Sequence, residues 1–242
     1  VDELPSLFQE LKNQHSALHK SSEKIQELDA QIEILGKKYD KASLSLSDKR
    51  QKAANELGKQ MTKSIRALGM EKGSFEIICE TDQEAFTSNG RDQIHFMIST
   101  NPGSSSGPLS KIASGGELSR VALALQVSIS NCHLFPTIIF DEVDVGIGGA
   151  VAEIVGQLLR KLSDGYQILC VTHLPQVASQ AHNHFRVKKI NTKSSSHTQI
   201  ESLSQNERVT EIARMLGGVD ITDKTLEHAG EMMEQAQTLT RT

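Results

Sequence analysis

The sequence has little of several residue types that mark particular classes of protein. It contains no tryptophan, three cysteines in 242 residues, and only 4% aromatic residues. Cys79, Cys132 and Cys170 lie far apart in apolar contexts, so they predict neither a disulfide framework nor a metal motif and favour a reducing compartment. No apolar run is long enough to cross a bilayer, and no signal or transit segment is visible. These absences predict a cytoplasmic protein without a membrane partner.

Charge is nearly balanced overall but uneven along the chain. The formal net charge is −4. Between residues 36 and 72 the sequence has ten lysines and arginines against four acids, and acids dominate after Glu201. A basic stretch of this kind can follow a DNA backbone. A solvated helix face has the same composition and is the simpler interpretation, so both readings stay open.

The N-terminal segment has the spacing of a coiled coil. Apolar residues recur every seven positions, and others occupy the position three later: Leu4, Leu11, Leu18, Ile25, Ile32, Tyr39 and Leu46, then Leu7, Leu28, Leu35 and Ala42. Such a seam packs against a partner helix. The chain has no second heptad segment of this length, so we expect it to be a fragment whose partner helix is missing. A second helical stretch, 53–68, is predicted to end at Gly69.

The remaining sequence predicts strands and helices in alternation. The predicted strands are 74–80, 93–100, 137–140, 167–171, 185–190 and 198–203, with a loop at 101–108; the predicted helices are 116–131, 147–162, 207–216 and 224–237. Short apolar strands between helices favour an α/β fold with a mainly parallel sheet flanked by helices. We therefore predict two parts, a coiled-coil arm with the helix entering the head at 1–69 and a head lobe at 70–242.

The strongest local pattern is an apolar strand that ends in two carboxylates. Asp141 and Glu142 directly follow Thr-Ile-Ile-Phe at 137–140. Ligands of parallel sheets bind at the carboxyl ends of the strands, so this position suits a nucleotide. There the first acid can hold Mg²⁺, and the second can orient or deprotonate an attacking water. An ordinary strand that ends in a polar turn has the same pattern, so the motif alone does not decide between them.

A Ser-Gly-Gly segment stands directly before a predicted apolar helix. The free N–H groups and the dipole at a helix N-terminus attract anions, and Gly115 and Gly116 let a phosphate approach the backbone closely. The structural alternative is that Ser114 simply caps the helix.

A histidine follows the strand predicted at 167–171. His173 comes beside the carboxylate strand, where it can contact a terminal phosphate, although a histidine there is by itself more simply read as a surface residue. The order of the three motifs resembles the head of ABC ATPases. Glu117, where transporters usually have glutamine, is followed by Val-Ala-Leu-Ala-Leu at 121–125, which is similar to the SMC and Rad-type branch.

The amino-acid sequences of these motifs are most similar to those of the RecN family of SMC-like ABC ATPases. Ala-Ser-Gly-Gly-Glu-Leu-Ser-Arg at 113–120, Asp-Glu-Val-Asp-Val-Gly-Ile at 141–147 and Thr-His-Leu-Pro-Gln-Val-Ala at 172–178 carry this resemblance. It covers the chain closely from about Asn101 onward and implies the C-terminal half of an ABC-type ATPase head. The implied function is ATP hydrolysis in recombinational repair of DNA double-strand breaks, at a nucleoid-associated location in the cytoplasm.

The resemblance also implies a role for each motif residue. Asp141 is expected to bind Mg²⁺, Glu142 to be the catalytic base, and His173 to be the switch histidine. The signature motif, which grips the γ-phosphate of ATP on an opposing head, is expected to include Ser114, Gly115, Gly116 and Glu117, supported by Arg120. The implied cofactors are ATP and Mg²⁺. The implied partners are a second head in a homodimer, an N-terminal half that carries the P-loop, and double- or single-stranded DNA.

Two departures from the family pattern matter. Gly148 stands where the family has its D-loop aspartate, so communication between heads must be handled differently or be weaker. The sequence also has no Gly-x-x-x-x-Gly-Lys-Ser/Thr. The nearest match, 218–225, has Asp223 in place of the second glycine, and Asp220 or Thr222 more simply caps the last helix. We therefore expect half of an active site, inactive alone.

Other interpretations remain. A Rad50-like head that regulates a nuclease has the same motif order, and only the motif wording favours RecN. An inert coiled-coil scaffold with an ABC-like fold is disfavoured by the intact motif residues. A transporter ATPase has no place for a long heptad arm. His182 and His184 have a possible metal spacing, but no third ligand is evident.

Overall fold

The computed structural model describes residues 4–100, 106–112, 114–129, 135–191, 196–217 and 221–238. The helices are α1 (Leu4–Ala67), α2 (Gly115–Ser128), α3 (Gly149–Leu162), α4 (Pro175–Ala178), α5 (Gln205–Gly217) and α6 (Asp223–Thr238). The strands are β1 (Ser74–Thr81), β2 (Asp92–Ser99), β3 (Gly107–Pro108), β4 (Thr137–Phe140), β5 (Gln167–Cys170), β6 (Phe185–Asn191) and β7 (Ser196–Ser202).

One continuous helix takes the place of the two helical stretches predicted at the N-terminus. α1 has 64 residues. It ends where predicted, because Gly69 has φ +87°, the left-handed conformation that glycine adopts without strain. Most of the predicted seam is exposed, whereas Tyr39 and Leu46 are half-buried. The exposed members are Leu7, Leu11, Leu18, Ile25, Leu28, Ile32 and Leu35. Pairing of this seam in a coiled coil stays a prediction.

Parallel pairing is limited, in the described residues, to one pair of strands. β4 and β5 are parallel, with Phe140 opposite Cys170. β6 and β7 form an antiparallel hairpin. β1, β2 and β3 form a third sheet, in which β3, within the predicted loop, pairs antiparallel with β2. The α/β class is confirmed, whereas the mainly parallel arrangement holds only for the strands that precede the acidic motif and His173. The short helix α4 was not predicted.

The chain divides by its internal contacts into two compact units. Unit 1 consists of Val1–Ala53 and Cys79–Ile94, and unit 2 consists of Ala54–Ile78 and His95–Thr242. This division passes through α1 and the β1–β2 pair. The boundary predicted between residues 69 and 70 separates arm from head instead, and it remains a prediction. No helix in the described ranges is both long and apolar enough to span a membrane.

In unit 1, a cluster of aromatic and charged side chains packs the β1–β2 connection against α1. The ring of Tyr39 stacks on that of Phe86 with 4.5 Å between centroids. The guanidinium carbon of Arg91 lies 5.3 and 5.1 Å from the two ring centroids. Arg91 Nη2 also lies 2.7 Å from Asp40 Oδ1. Cation–π attraction and an ion pair therefore hold the same arginine.

A buried carboxylate forms a second fastening in unit 1. The side chain of Asp92 is 1% exposed. It accepts hydrogen bonds from Ser47 Oγ at 2.7 Å, Thr81 Oγ1 at 2.8 Å and Arg50 Nη1 at 2.9 Å. The bond from Ser47 above all, with those from Arg50 and Thr81, holds the pKa of Asp92 below its usual value.

We expect Asp92→Asn to destabilise the protein at neutral pH by roughly 1.5–3 kcal/mol, the range for hydrogen bonds to a charged group. A carboxyl whose folded-state pKa is depressed stabilises fully above its unfolded pKa of about 3.9. That contribution is lost as the pH falls through the lower folded-state pKa. Thermal unfolding from pH 7 to pH 3 should therefore show the difference from wild type shrinking below about pH 4. Asp48→Asn, an exposed carboxylate of α1, is the control. An equal difference at every pH would contradict this role.

The core of unit 2 is built on the C-terminal part of α1. Met61, Ile65 and Leu68 are fully buried, and their spacing of four and three places them on one helix face. Fully buried side chains of α2, α3, α5 and the turn after β4 are Val121, Leu123, Val143, Val155 and Ile212. A cluster of Ala178, Ile212, Ala213, Ala229 and Met233 joins α4, α5 and α6. This core supports the sheet edge that carries the motif residues.

Candidate functional site

The parallel pair β4–β5 brings two of the predicted motifs to one edge of a sheet. The backbone N–H of Val171 donates to Phe140 O at 3.0 Å, so the strands are still paired where the acidic motif begins. Asp141 and Glu142 follow β4, and His173 follows β5 by three residues. All three side chains are exposed. The neighbouring placement predicted for the carboxylates and His173 is confirmed.

Glu142 has a strained backbone. Its φ is +57°, and it is the only residue other than glycine with a positive φ in the described part of the chain. The left-handed conformation costs an L-residue with a Cβ roughly 1–2 kcal/mol. Its N–H donates to Asp141 Oδ1 at 3.0 Å, and its carbonyl accepts from Val145 N at 3.2 Å, which closes a tight turn. Strain of this kind concentrates at functional sites.

The Ser-Gly-Gly segment forms the start of α2. Ser114 is the N-cap, and its hydroxyl accepts from Glu117 N at 3.5 Å, the long end of the range for a hydrogen bond. The structural alternative proposed for Ser114 is therefore observed. Glu117 adds a negative charge to the first turn, where the helix dipole favours it. Ser114 and Gly115 are exposed, so the start of the helix stays accessible.

The two glycines lie directly against the turn that follows β4. A Cβ on Gly115 would come 2.5 Å from Glu142 Oε2, and one on Gly116 would come 2.9 Å from Val145 O and 3.2 Å from Glu142 O. Glycine is needed here because the turn packs on the first turn of α2, in addition to any approach of a phosphate. The structure thus brings Gly115 and Gly116 against Glu142 within one chain.

Two further side chains of α2 contact the same turn. Ser119 Oγ donates to Asp141 O at 2.9 Å. Arg120, 5% exposed, donates from Nη1 to Val145 O at 2.8 Å and to Val143 O at 3.5 Å. Burial lowers the pKa of the Arg120 guanidinium. Arg120 was expected to support the signature motif, and its hydrogen bonds run to the turn after the acidic motif.

A third carboxylate at this sheet edge was not predicted from the sequence. Asp144 has a side chain that is 2% exposed, and its Oδ2 accepts from Thr172 Oγ1 at 2.5 Å and from His173 N at 3.1 Å. The ring atom Nδ1 of His173 lies 3.3 Å from the same oxygen. The sequence signal was present, since Asp144 is the third acid of the Asp-Glu-Val-Asp run, but nothing in that run shows that it faces inward.

Cys170, the last residue of β5, has an unreactive thiol. Burial, followed by the charges of Asp144 and Asp141, raises the pKa of its thiol to about 12. A thiol with this pKa stays protonated at neutral pH and is a poor nucleophile. Cys170 therefore contributes packing to the site.

The structure also bears on the predicted cap of the last helix and on the histidine pair His182 and His184. Thr222 caps α6, because its hydroxyl accepts from Thr225 N at 3.3 Å. Asp220, the alternative cap, lies outside the described residues. His182 Nδ1 lies 3.5 Å from Ser163 Oγ, and burial lowers the pKa of His184. Within the described ranges no group of three histidine, cysteine or acidic side chains is arranged to hold a metal ion.

The sequence comparisons identify the class of protein. Residues 9–196 match the family described as the RecF/RecN/SMC N terminal domain, and the chain belongs to this family. The chain is 42% identical over 233 residues to DNA repair protein RecN of Haemophilus influenzae, covering 96% of this chain and 42% of that protein. DNA repair protein RecN of Halalkalibacterium halodurans is 40% identical over 227 residues, covering 93% and 40%. The predicted resemblance to RecN is confirmed.

A solved structure was also compared with the chain. The Smc head domain with a coiled coil and joint from Pyrococcus yayanosii aligns with a TM-score of 0.49 and 22% identity, covering 98% of this chain and 38% of that one. A similarity of this size adds nothing to the assignment, which rests on the sequence. The chain spans about two fifths of the length of the RecN relatives it matches.

Proposed function

We propose that this chain is the C-terminal part of an ATP-hydrolysing head in an SMC-like protein that repairs DNA double-strand breaks. The observation that carries the proposal is the placement of the acidic motif and His173 at one sheet edge, where Asp144 joins them. The turn with Asp141 and Glu142 packs on Gly115 and Gly116, and its Asp144 holds His173. Family membership supports nucleotide chemistry at the level of the family.

ATP and Mg²⁺ fit the residues that are present. In the described residues neither Asp141 nor Glu142 is in an ion pair, and hard carboxylate oxygens without a cationic partner suit Mg²⁺. Asp141 would hold the metal, and Ser114 with the two glycines would bind phosphate of a nucleotide on an opposing head. Bound ATP with Mg²⁺ supplies the phosphoryl group and the neutralising charge. Glu142 would accept a proton from the attacking water, and His173 would orient the terminal phosphate.

The proposed active site needs a second polypeptide segment. The given sequence contains no Gly-x-x-x-x-Gly-Lys-Ser/Thr, and three apolar side chains in and just after the β4–β5 pair are strongly exposed: Ile139 at 68%, Leu169 at 47% and Val171 at 63%. An exposed apolar sheet face marks an interaction surface. We assign this face to the N-terminal half of the protein, which would bring the P-loop. A second head in a homodimer would then complete the nucleotide sandwich.

DNA is the proposed macromolecular partner of the assembled protein. Several lysines of the basic stretch are exposed, among them Lys38, Lys41, Lys59 and Lys63. In unit 2, Lys59 and Lys63 are solvent-exposed residues of the same helix that buries Met61 and Ile65. This arrangement supports a solvated helix face and leaves the lysines available to phosphates.

ATP turnover of this chain alone, of its N-terminal half alone, and of the two mixed would test the proposal. We expect turnover only in the mixture, because the phosphate-binding loop and the carboxylates then meet. Circular dichroism and size-exclusion chromatography would establish that the mixture is folded and associated. No turnover in such a mixture, with or without double-stranded DNA, would remove the enzyme proposal and leave the coiled-coil scaffold.

A further inference from the structure

The proposed chemistry gives no role to the buried carboxylate beside His173, Asp144. Asp144 is 2% exposed, whereas His173 is 69% exposed at its side chain. Burial of a carboxylate is costly unless hydrogen bonds replace its water. The protein therefore buries the Asp144 carboxylate directly beside an exposed histidine, and this arrangement suggests that the carboxylate acts on that histidine.

We propose that Asp144 is a positioning residue that fixes the orientation of His173. The inference rests on the proposed function for the task of His173, but its geometry stands alone. Thr172 Oγ1, His173 N and His173 Nδ1 converge on one oxygen, Asp144 Oδ2, at 2.5, 3.1 and 3.3 Å. Backbone and ring of the histidine are thus held by the same atom.

The contact at Nδ1 determines which ring nitrogen is presented outward. A carboxylate oxygen 3.3 Å from Nδ1 favours a proton on that nitrogen, and Nε2 is then the nitrogen on the far side of the ring. An exposed imidazole without such a partner would sample several rotamers, and immobilising it on binding costs conformational entropy. Asp144 removes part of that cost before a phosphate arrives. A carboxylate that orients a histidine in this way is a recurring device in enzymes.

Asp144 is itself held in place from the signature helix. Arg120 Nη1 donates to the carbonyls of Val143 and Val145, which flank Asp144 on both sides. A contiguous set of contacts therefore runs from α2 through the turn to His173.

Steady-state kinetics of the full-length protein with a double-mutant cycle would test the inference. We expect Asp144→Asn to lower kcat about 10–100-fold, the range for residues that orient a functional histidine. The KM for ATP should change less than about threefold. In a His173→Ala background the same substitution should have less than about a twofold further effect, because its partner is gone. Equal losses in both backgrounds would show a merely structural role and overturn the proposal.

Thr172→Val provides a second variant should Asp144→Asn fail to fold. It removes the shortest hydrogen bond to Asp144 Oδ2 and leaves the carboxylate in place. We expect a smaller loss of kcat that again disappears in the His173→Ala background. A loss that persists there would count against the proposal.

A measurement independent of turnover separates this inference from the proposed function. Nitrogen NMR of ¹⁵N-histidine-labelled full-length protein at pH 8.5, with His173 assigned from a His173→Gln sample, reports which ring nitrogen carries the proton. We expect Nδ1–H in wild type and a mixed population in Asp144→Asn. An Nε2–H tautomer in wild type, unchanged in the variant, would overturn the inference even in an active enzyme. If His173 shows the expected tautomer but the protein does not hydrolyse ATP, the inference about Asp144 stands and the proposed function is wrong.

Discussion

Glu142→Gln in the full-length protein is expected to slow ATP hydrolysis by roughly 10²–10⁴-fold, the contribution of a positioned general base. Glutamine has the same length and hydrogen-bonding reach, but its amide cannot take a proton from water. Both residues have a Cβ, so the strain at φ +57° is the same in the two proteins. ATP binding should persist, because the base acts on the attacking water and not on the bound nucleotide.

Glu153→Gln is the matched control for this variant. Glu153 is an exposed carboxylate of α3 whose hydrogen bond comes from Gln157, one helical turn away. Hydrolysis and nucleotide affinity, measured on both variants, should change only in Glu142→Gln and only in the rate. A Glu142→Gln protein that hydrolyses ATP at the wild-type rate would remove Glu142 as the base. The strained turn would then serve only to seat the signature glycines.

The elements of the fold could be predicted because their signals are local. The apolar run at β4 and its bounds were predicted correctly, since a short apolar strand flanked by proline and acids leaves little choice. The heptad pattern and Gly69 predicted the helix and its end. The two helical stretches predicted before Gly69 form the single helix α1, so the change of apolar spacing near residue 53 does not mark a helix end.

The contacts of the candidate site could be predicted only in part. The shared edge of β4 and β5 follows from parallel pairing, so the neighbourhood of the carboxylates and His173 was accessible from the sequence. The reach of Arg120 to Val145 O joins residues 25 apart, and Asp144 contacts residues 28 and 29 positions away. Such contacts depend on how α2 packs on the turn, and no periodicity encodes that.

The adjacent glycines of the signature segment should respond very differently to alanine. At Gly116 a Cβ would lie 2.9 Å from Val145 O and 3.2 Å from Glu142 O, both backbone atoms that cannot move aside without shifting the turn. Overpacking of this kind costs typically about 1–3 kcal/mol. Alanine in a helix recovers up to about 1 kcal/mol over glycine. We therefore expect Gly116→Ala to be destabilised by roughly 1–2 kcal/mol, with loss of ATP turnover in the assembled protein because the turn carries Asp141, Glu142 and Asp144.

Gly115→Ala is the matched comparison, since its Cβ would meet only the end of a flexible side chain, Glu142 Oε2. The carboxylate can rotate away, so the thermal unfolding of Gly115→Ala should lie within about 1 kcal/mol of wild type. Its turnover should nevertheless fall, because the position of Glu142 changes. Equal stability of the two alanine variants would show that the turn is not packed on α2 as described. Destabilisation confined to Gly116→Ala would show that the start of α2 and the turn that carries Glu142 are packed as one unit, so that a contact at the start of α2 can shift Glu142.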